Sequence, residues 1–423
     1  MRTTTVVIGA GQAGLAMSWW LARRGIDHVV LERGAGVANT WRTERWKSLT
    51  LLTPNWQSRL PGLGYEGDRP DGFRTLGETI EFLDEYARRV APPLRLRCPV
   101  GAVRAREDGY EVESGDGTWR CRAVVIATGA FNLPRVPELA GALPGDIAQI
   151  TPTQYRGPSE LPEGGVLVVG AAATGAQLAD EIRRAGRDVA LAVGEHVRAL
   201  RTYRGRDIQW WMDVTGLNDE AFDRVENLDR ARSLPSFQLA GYSDRHDIDL
   251  NALRAIGVRL VGRLAGVRDG KLQLSGSLRN VCELADLKLN RLLKTFDQWA
   301  AERGIERDLD PVHRPAPTVV DAAPPLGLDL AKRGIRTVLW ATGFRADYRW
   351  LQVPVLDRKG DLVHEGGVVI GAPGLYVLGL PFLRRRKSTL IDGVGDDARE
   401  LSAHLAAYLG AQRPQSTAAA VAS

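Results

Sequence analysis

The chain has 423 residues, of which 44% are hydrophobic and 25% are charged, and its formal net charge is +5. The chain is longer than one that ordinarily folds around a single hydrophobic core, so we expect two domains. The composition is that of a globular protein. The basic run Arg384–Lys387 is short, which argues against a nucleic-acid partner because phosphate-tracking proteins concentrate their charge in a stripe.

The cysteines and the absence of targeting signals indicate a cytoplasmic protein. Cys98, Cys121 and Cys282 are odd in number and far apart, so a disulfide framework or a C-x-x-C redox pair is unsupported. No apolar run reaches the roughly 18 to 20 residues that span a bilayer, and the first residues enter a predicted strand without room for a signal peptide. The tail 411–423 lacks a periodic apolar pattern, which predicts disorder.

The first part of the chain alternates short apolar runs with helical patterns. A predicted strand over Thr5–Ile8 leads through a glycine-rich turn to a helix over Leu15–Arg24 and a strand over His28–Glu32. Short strands follow within 94–114, and this unit closes on the segment RAVVIATGAF at 122–131. Continuous apolar strands followed by helices are typical of a buried parallel sheet.

The second part repeats this order. A strand over Val166–Val169, a glycine-rich turn, a helix over Ala176–Arg184 and a strand over Asp188–Val193 are followed by short strands within 258–274 and by IRTVLWATGF at 335–344. We therefore predict an α/β protein with two Rossmann-like dinucleotide-binding domains, the second inserted in the first. The predicted first domain takes 1–160 and 320–410, and the second takes 161–319 with a helical insertion. A final amphipathic helix is expected to return to the first domain.

The first glycine-rich turn has the full G-x-G-x-x-G pattern between a strand and a helix. Gly9 makes the tight turn, Gly11 lets the backbone approach a pyrophosphate, and Gly14 allows close helix–strand packing. Glu32, at the end of the next strand, is placed to accept from ribose hydroxyls. The ATG segment that contains Thr128 and Gly129 follows a buried strand, as small residues do where a chain passes close to a cofactor.

The segments NTWRTERWKSLTLLTPNWQSRLPG and GLYVLGLPFLRRRKSTLIDGVGDDA, together with the paired turns and two ATG segments, resemble the class B flavin-dependent monooxygenases. The resemblance implies FAD in the first unit and NADPH or NADH in the second. It also implies that the reduced flavin forms a C4a-(hydro)peroxyflavin with O₂, which then oxygenates a small molecule by N- or S-oxygenation or a Baeyer–Villiger reaction. Whether the protein forms a homodimer is left open.

The resemblance carries over residue by residue. The expected FAD-binding residues are Gly9, Gly11, Gly14, Glu32, Arg33, Thr40, Trp41, Arg42, Val100, Thr128, Gly129, Asp392 and Gly393. The last two match the segment before the final helix, whose N-terminus stabilises negative charge on the flavin. The expected nicotinamide-binding residues are Gly170, Thr174, Gly175, Arg198 and Arg204. The expected catalytic residues are Asn55 in the pocket and Arg384 and Lys387, which would orient an anionic substrate or the peroxide.

Three departures from the family pattern fall on the nicotinamide unit. Ala172 replaces the central glycine of the second turn, and Thr151 stands where the family often has a histidine before Tyr155. Glu195 lies near the place of an arginine that binds the 2′-phosphate of NADPH, and a carboxylate there repels a phosphate. Arg198, Arg201 and Arg204 follow it and are expected either to compensate or to form a solvated loop.

These departures leave two other functions open. An FAD-dependent oxidase or dehydrogenase with a degenerate nicotinamide site is the alternative, and a non-catalytic flavin-binding or redox-sensing protein is the third. A disulfide reductase is disfavoured because C-x-x-C is missing. The histidines show no metal spacing, so we predict no metal.

Overall fold

The computed structural model describes residues 1–411. The predicted disordered tail therefore lies outside the described residues, apart from Ala411, which ends the last helix. Within 1–411 the α-helices are α1 (Gln12–Arg23), α2 (Asn39–Thr43), α3 (Leu76–Val90), α4 (Ala173–Arg184), α5 (Ile208–Val214), α6 (Leu228–Ser233), α7 (Leu250–Ala255), α8 (Leu278–Arg303) and α9 (Ile391–Ala411).

The same residues contain twenty-three strands. They are β1 (Thr5–Ile8), β2 (His28–Leu31), β3 (Leu94–Arg95), β4 (Val100–Arg106), β5 (Gly109–Ser114), β6 (Gly117–Cys121), β7 (Ala123–Ile126), β8 (Leu133–Pro134), β9 (Ala148–Ile150), β10 (Gly165–Val169), β11 (Val189–Val193), β12 (Thr202–Tyr203), β13 (Arg206–Asp207), β14 (Arg259–Gly262), β15 (Leu264–Arg268), β16 (Lys271–Leu274), β17 (Gly327–Asp329), β18 (Ile335–Trp340), β19 (Phe344–Arg345), β20 (Leu351–Gln352), β21 (His364–Glu365), β22 (Val368–Val369) and β23 (Leu375–Val377).

Two sheets that share the order of four parallel strands form the framework, with β7-β1-β2-β3 in the first corresponding to β18-β10-β11-β14 in the second. The first has the order β21-β22-β23-β7-β1-β2-β3, in which the last five strands are parallel. The second is parallel throughout and has the order β14-β11-β10-β18-β9. In each unit an antiparallel three-stranded arrangement, β4–β6 or β15–β17, precedes the strand that returns to the parallel sheet. The predicted fold class is thereby confirmed.

The second sheet extends beyond the residues assigned to its domain from the sequence. Its strands β9 and β18 lie outside 161–319, so the chain enters this unit before the predicted boundary and leaves it after. The exact division into domains stays a prediction. The final helix α9 packs on α1, where Trp20 Nε1 donates to Gly395 O at 3.0 Å, as expected for a return to the first unit.

The long insertion after β2 links the two units. Trp46 is buried in the hydrophobic core of the second unit, although it belongs to a segment that interrupts the first. Ser48 Oγ donates to Glu181 Oε1 on α4 at 2.7 Å, and Lys47 N donates to Arg156 O at 3.3 Å. The two units are therefore fastened together by buried apolar surface as well as by hydrogen bonds.

Candidate dinucleotide sites

The first glycine-rich turn leaves one side open for a ligand. A Cβ at Gly9, which has φ of +105°, would lie 2.7 Å from Ala127 O, and a Cβ at Gly14 would lie 1.8 Å from Gly9 O. A Cβ at Gly11 meets no atom within 4 Å. Gly9 and Gly14 are thus required by close packing of the protein on itself, whereas Gly11 faces the space that a pyrophosphate takes in a dinucleotide fold.

Glu32 holds the same turn from the end of β2. Its side chain is buried, and its two carboxylate oxygens accept from Ala10 N at 2.9 Å and from Gly34 N at 2.7 Å. Each oxygen has a second lone pair, so the carboxylate shapes the turn and can still accept from a ribose hydroxyl. Val100 starts β4 close by, because Cys98 N donates to Glu32 O at 2.8 Å.

The segment of α2 is attached to the first turn through the backbone. Ala38 precedes the helix in the left-handed conformation, with φ of +56°, and its N–H donates to Ala10 O at 3.1 Å. Trp41 packs against the first core. Among its neighbours, Arg42 donates to Val37 O and forms an ion pair with Asp84.

The remaining two predicted FAD-binding residues of this segment differ in how much contact they make. The guanidinium of Arg33 forms an ion pair with Glu44 at 2.8 Å on an exposed surface. Thr40 is half-buried within α2. The structure therefore places Thr40, Trp41 and Arg42 beside the turn but engages both arginines with carboxylates.

The ATG segment contributes an unsatisfied polar atom at the first turn. The buried Oγ1 of Thr128 has no hydrogen-bond partner within residues 1–411. Ala127, directly before it, donates its N–H at 2.9 Å to the carbonyl oxygen of Ile8, the last residue of β1 before the turn. Gly129 has φ of +76°, and a Cβ there would meet nothing within 4 Å. Buried polar groups are normally paired, so this vacant hydroxyl next to an open cradle fits a polar ligand such as FAD.

A charge cluster built around the buried side chains of Asp392 and Lys387 lies at the N-terminus of α9. Arg59 Nε and Nη2 donate to the two oxygens of Asp392 at 2.6 and 3.1 Å, and Lys387 Nζ lies 3.4 Å from Asp392 and 3.0 Å from Asp219. Burial alone would lower the pKa of Lys387, but the two carboxylates raise that pKa above its ordinary value. Asp213 completes the cluster at 3.7 Å from Arg59. Lys387 therefore stays protonated.

The structure changes two expectations about this region. Asp392 and Gly393 lie within the first turn of α9 and not before the helix, and a Cβ at Gly393 would lie 2.0 Å from Lys387 O. Arg59 was not among the predicted residues, because nothing near it in the chain indicates that its partner is 333 residues away.

Arg384 does not have the role that was expected of it. Its Nε pairs with Glu400 at 2.6 Å and its Nη1 donates to Gly366 O at 2.8 Å. The neighbouring Arg385 and Arg386 also pair with carboxylates. This loop fastens α9, so Arg384 is neither a free surface charge nor a free donor to a substrate.

Two buried carboxamides lie in the 3₁₀ turn at 55–57. Asn55 Nδ2 donates to Arg69 O at 2.9 Å, while Asn55 Oδ1 has no partner within the described chain. Both polar atoms of Gln57 are buried and likewise without partners. Arg59, which bonds Asp392, comes two residues after Gln57, so the chain that carries these amides is attached to the N-terminus of α9. Gln57 is a second residue that the sequence does not point to, because an isolated glutamine carries no motif.

The second turn keeps the geometry of the first despite its alanine. A Cβ at Gly170, with φ of +107°, would lie 2.3 Å from Ala341 O, and a Cβ at Gly175 would lie 1.8 Å from Gly170 O. Ala172 has φ of −75° and ψ of −176°, against −82° and −172° at Gly11. This extended backbone strains no residue type. The methyl of Ala172 therefore occupies the side that is open at Gly11, and Thr174 follows within the first turn of α4.

The structure does not support the prediction that Arg198 and Arg204 bind a cofactor phosphate. Arg198 is 4% exposed and pairs with Asp249 and Asp286, each at 2.7 Å. Arg204, equally buried, pairs with Asp297 at 3.1 Å and donates to Asp310 O at 2.9 Å. A buried guanidinium requires such partners, so neither is free to contact a phosphate. Arg201 is also buried, against Asp207, which excludes the solvated loop as well.

Other kinds of site are not evident in residues 1–411. No group of three or more histidine, cysteine or acidic side chains is arranged to hold a metal ion there. Cys98, Cys121 and Cys282 are free and buried. No helix in this part of the chain has the length and apolar character needed to cross a membrane.

Comparison with known proteins agrees with this architecture. A family model described as pyridine nucleotide-disulphide oxidoreductase matches residues 6–212. An uncharacterized CzcO-like oxidoreductase of Geobacillus kaustophilus (strain HTA426) is 32% identical over 398 residues, which are 94% of this chain and 96% of that protein. The indole-3-pyruvate monooxygenase YUCCA1 of Oryza sativa subsp. japonica is 30% identical over 204 residues, which are 46% of this chain and 48% of that protein.

Solved structures share the fold over the whole length. A flavin-containing monooxygenase from Stenotrophomonas maltophilia has a TM-score of 0.65 at 22% identity and covers 96% of this chain and 99% of that one. The fold and the paired turns define a protein with two dinucleotide-type units, and the full-length relative makes it an oxidoreductase. The chain belongs to the CzcO-like oxidoreductases, and the predicted resemblance to class B flavin-dependent monooxygenases is confirmed.

Proposed function

We propose that the protein is an FAD-dependent monooxygenase that uses NAD(P)H and O₂ to oxygenate a small molecule. The observation that carries this proposal is the pair of turns with matching backbone geometry, each at the end of the corresponding strand, β1 or β10, of a four-strand parallel arrangement that both sheets share. One such site holds a single dinucleotide. Two sites in one molecule suit a reaction in which one dinucleotide reduces the other.

The first unit fits FAD. Gly11 leaves room for the pyrophosphate, and the N-terminus of α1 behind it attracts negative charge. Glu32 is in place for the adenosine ribose, and Thr128 offers an unused hydroxyl. FAD bound there supplies the chemistry that the amino acids lack, since it accepts two electrons from the nicotinamide and activates O₂.

The second unit is the proposed nicotinamide site. Gly170 and Gly175 close its turn, and the N-terminus of α4, with Thr174 in its first turn, faces the place of the pyrophosphate. The methyl of Ala172 narrows that place, so we expect weaker binding than a glycine would allow. NAD(P)H supplies two electrons, one oxygen atom enters the substrate and the other leaves as water.

Side chains of this protein orient and shield the reaction. Asn55 and Gln57 present buried polar atoms without protein partners, which suits hydrogen bonds to the cofactor or the substrate. Lys387 stays protonated at the N-terminus of α9, where Asp392 and Asp219 hold its ammonium in place. N-oxygenation, S-oxygenation and Baeyer–Villiger oxidation are all compatible with these groups. The cytoplasmic location remains a prediction from the sequence, and the oligomeric state stays open.

A second candidate function is an oxidase or dehydrogenase whose nicotinamide site is degenerate. Ala172 favours it, because its methyl stands where the ligand-facing side of the first turn is open. In that case the substrate itself would reduce the flavin.

Anaerobic mixing of the purified FAD-loaded protein with NADH or NADPH tests the proposal. We expect the flavin absorbance to bleach with at least one of them, and product to form when O₂ and a substrate are admitted. Ala172→Gly should bind the nicotinamide several-fold more tightly and speed the bleaching. Gly11→Val, whose side chain points into the open cradle, should fold but lose FAD. If neither NADH nor NADPH bleaches the flavin, in wild type or in Ala172→Gly, the proposal is contradicted and the second candidate is favoured.

A further inference from the structure

A group of charged side chains surrounds the carboxyl ends of β11 and β14 in the second unit. These strands are neighbours, with Val193 opposite Gly262. Glu195 follows β11, and Arg263 directly follows β14. In doubly wound sheets the ribose of a bound dinucleotide lies at the carboxyl end of the strand next to the central one, which is β11 here. These residues therefore lie where the two nicotinamide cofactors, NADH and NADPH, differ.

The acid that favours a 2′-hydroxyl is missing at this edge. Gly9 N donates to Leu31 O in the first unit, and Gly170 N donates to Ala192 O in the second. This correspondence makes Val193 the counterpart of Glu32. Val193 is fully buried and has no side-chain acceptor, so the second unit cannot bind ribose hydroxyls in the way proposed for the first.

The side chain of Arg263 is exposed, and its guanidinium makes no hydrogen bond or ion pair with any of residues 1–411, although its backbone carbonyl accepts from Ser275 N. A Cβ at Gly194 would lie 3.6 Å from Arg263 Cδ, so the absence of a side chain at Gly194 leaves the arginine stem close to the end of β11. This free cation differs from Arg198 and Arg204, which are buried in ion pairs.

Glu195 does not leave a net negative charge at this edge. It pairs with Arg230 of α6 and lies 3.5 Å from Lys288 of α8, and all three side chains are between 41% and 50% exposed. The hydrogen bond from Arg230 holds the pKa of Glu195 below its ordinary value, so the carboxylate is charged. His196 is buried, which lowers its pKa, and it adds no charge near pH 7. Arg263, Arg230 and Lys288 against Glu195 give a net charge of +2.

We propose that Arg263, with Arg230 and Lys288, binds the 2′-phosphate of NADPH and makes NADPH the preferred reductant. The inference rests on the proposed function, since it deepens the assignment of the second unit. A phosphate dianion matches the local charge, and arginine presents the donor geometry that phosphate oxygens favour. Glu195 holds Arg230 and Lys288 in place. Because it also competes with the phosphate for them, it limits the affinity for NADPH.

Calorimetric titration of the FAD-loaded protein with 2′,5′-ADP and with 5′-AMP tests this site without any turnover. Wild type should bind 2′,5′-ADP more tightly, and Arg263→Ala should lose roughly tenfold or more of that affinity while 5′-AMP binding is unchanged. Arg259→Ala is the matched control, because it removes the same charge from the opposite end of β14 and should leave both ligands unaffected. Glu195→Gln should tighten 2′,5′-ADP binding by freeing Arg230 and Lys288.

Equal affinities for the two nucleotides in wild type, or an equal loss in Arg263→Ala and Arg259→Ala, would overturn the inference. Flavin reduction by NADH together with such a result leaves the proposed function standing. Arg263-dependent binding of 2′,5′-ADP in a protein whose flavin neither nicotinamide reduces would instead support the site and contradict the proposed function.

Discussion

At the scale of single residues, the carboxylate of Glu32 determines the shape of the first turn. Its oxygens accept from two backbone N–H groups on different segments, Ala10 and Gly34, and the side chain is buried. A buried N–H that loses its acceptor retains its full desolvation cost. The same group thus serves both stability and the proposed FAD site.

Glu32→Gln should therefore weaken both the stability of the fold and the binding of FAD. The amide keeps one acceptor and turns a donor toward the other N–H, so we expect a loss of about 1–3 kcal/mol in the free energy of unfolding and less bound FAD after purification. Thermal unfolding with and without added FAD measures both effects. Glu44→Gln is the control, because Glu44 pairs with the exposed Arg33, and surface pairs are worth about 0–1 kcal/mol. Equal effects of the two variants would contradict this role of Glu32.

At the scale of elements, the basic loop before α9 is fastened to that helix by buried charge. Arg385 pairs with Asp397 and with Glu400, and Asp397 is fully buried. Burial raises the pKa of Asp397 to about 6, against the opposing effects of Ser388 and Arg385. The folded protein therefore binds a proton at this carboxyl more readily than the unfolded chain does.

The sign of the resulting pH dependence follows from linkage. Because the folded pKa lies above the unfolded value of 3.8, the stability that this group contributes is fully present below about pH 4 and is lost as the pH rises through about 6. The shift corresponds to about 3 kcal/mol. Relative to Asp397→Asn, wild type should lose that amount between about pH 4 and about pH 7 in chemical unfolding. Asp396→Asn, at an exposed position, should show no such trend, and a flat difference for Asp397→Asn would refute the assignment.

At the scale of the whole molecule, the insertion after β2 makes the two units one cooperative structure. Trp46 comes from the chain of the first unit and is buried in the core of the second. Lys47 and Ser48, the next two residues, add hydrogen bonds to Glu160 and Glu181. We therefore expect wild type to unfold in a single transition.

Trp46→Ala should uncouple the units. Truncation of a buried tryptophan costs about 3–5 kcal/mol, and here the loss falls on the contact between them. Differential scanning calorimetry should show a lower and broader transition or two transitions, with FAD released at the later one. Trp350→Ala removes a partly buried tryptophan that packs on the first core and should lower the midpoint without splitting it. A single sharp transition in Trp46→Ala would rule out this coupling.

Much of the fold could be predicted because its signals are local. Strands such as Thr5–Ile8 and the helices that follow the turns are written in short apolar runs and glycine spacing, and the structure places them within a few residues of the prediction. The strand Ala148–Ile150 was not predicted, since three half-exposed residues carry no periodic pattern. It is identified by its partner β18, where Trp340 Nε1 donates to Gln149 Oε1 across 191 residues.

The candidate sites divide in the same way. The sequence by itself determined the glycine turns, Glu32 and the repeated unit, because steric limits on backbone conformation act between residues that are near in the chain. Only the tertiary structure decided which arginines are paired and which one is free. It placed Arg198 against Asp286, 88 residues away, joined Arg59 to Asp392, and left Arg263 free at the end of β14. An ion pair depends on which charges folding brings within a few ångströms of each other, and residue spacing along the chain does not contain that information.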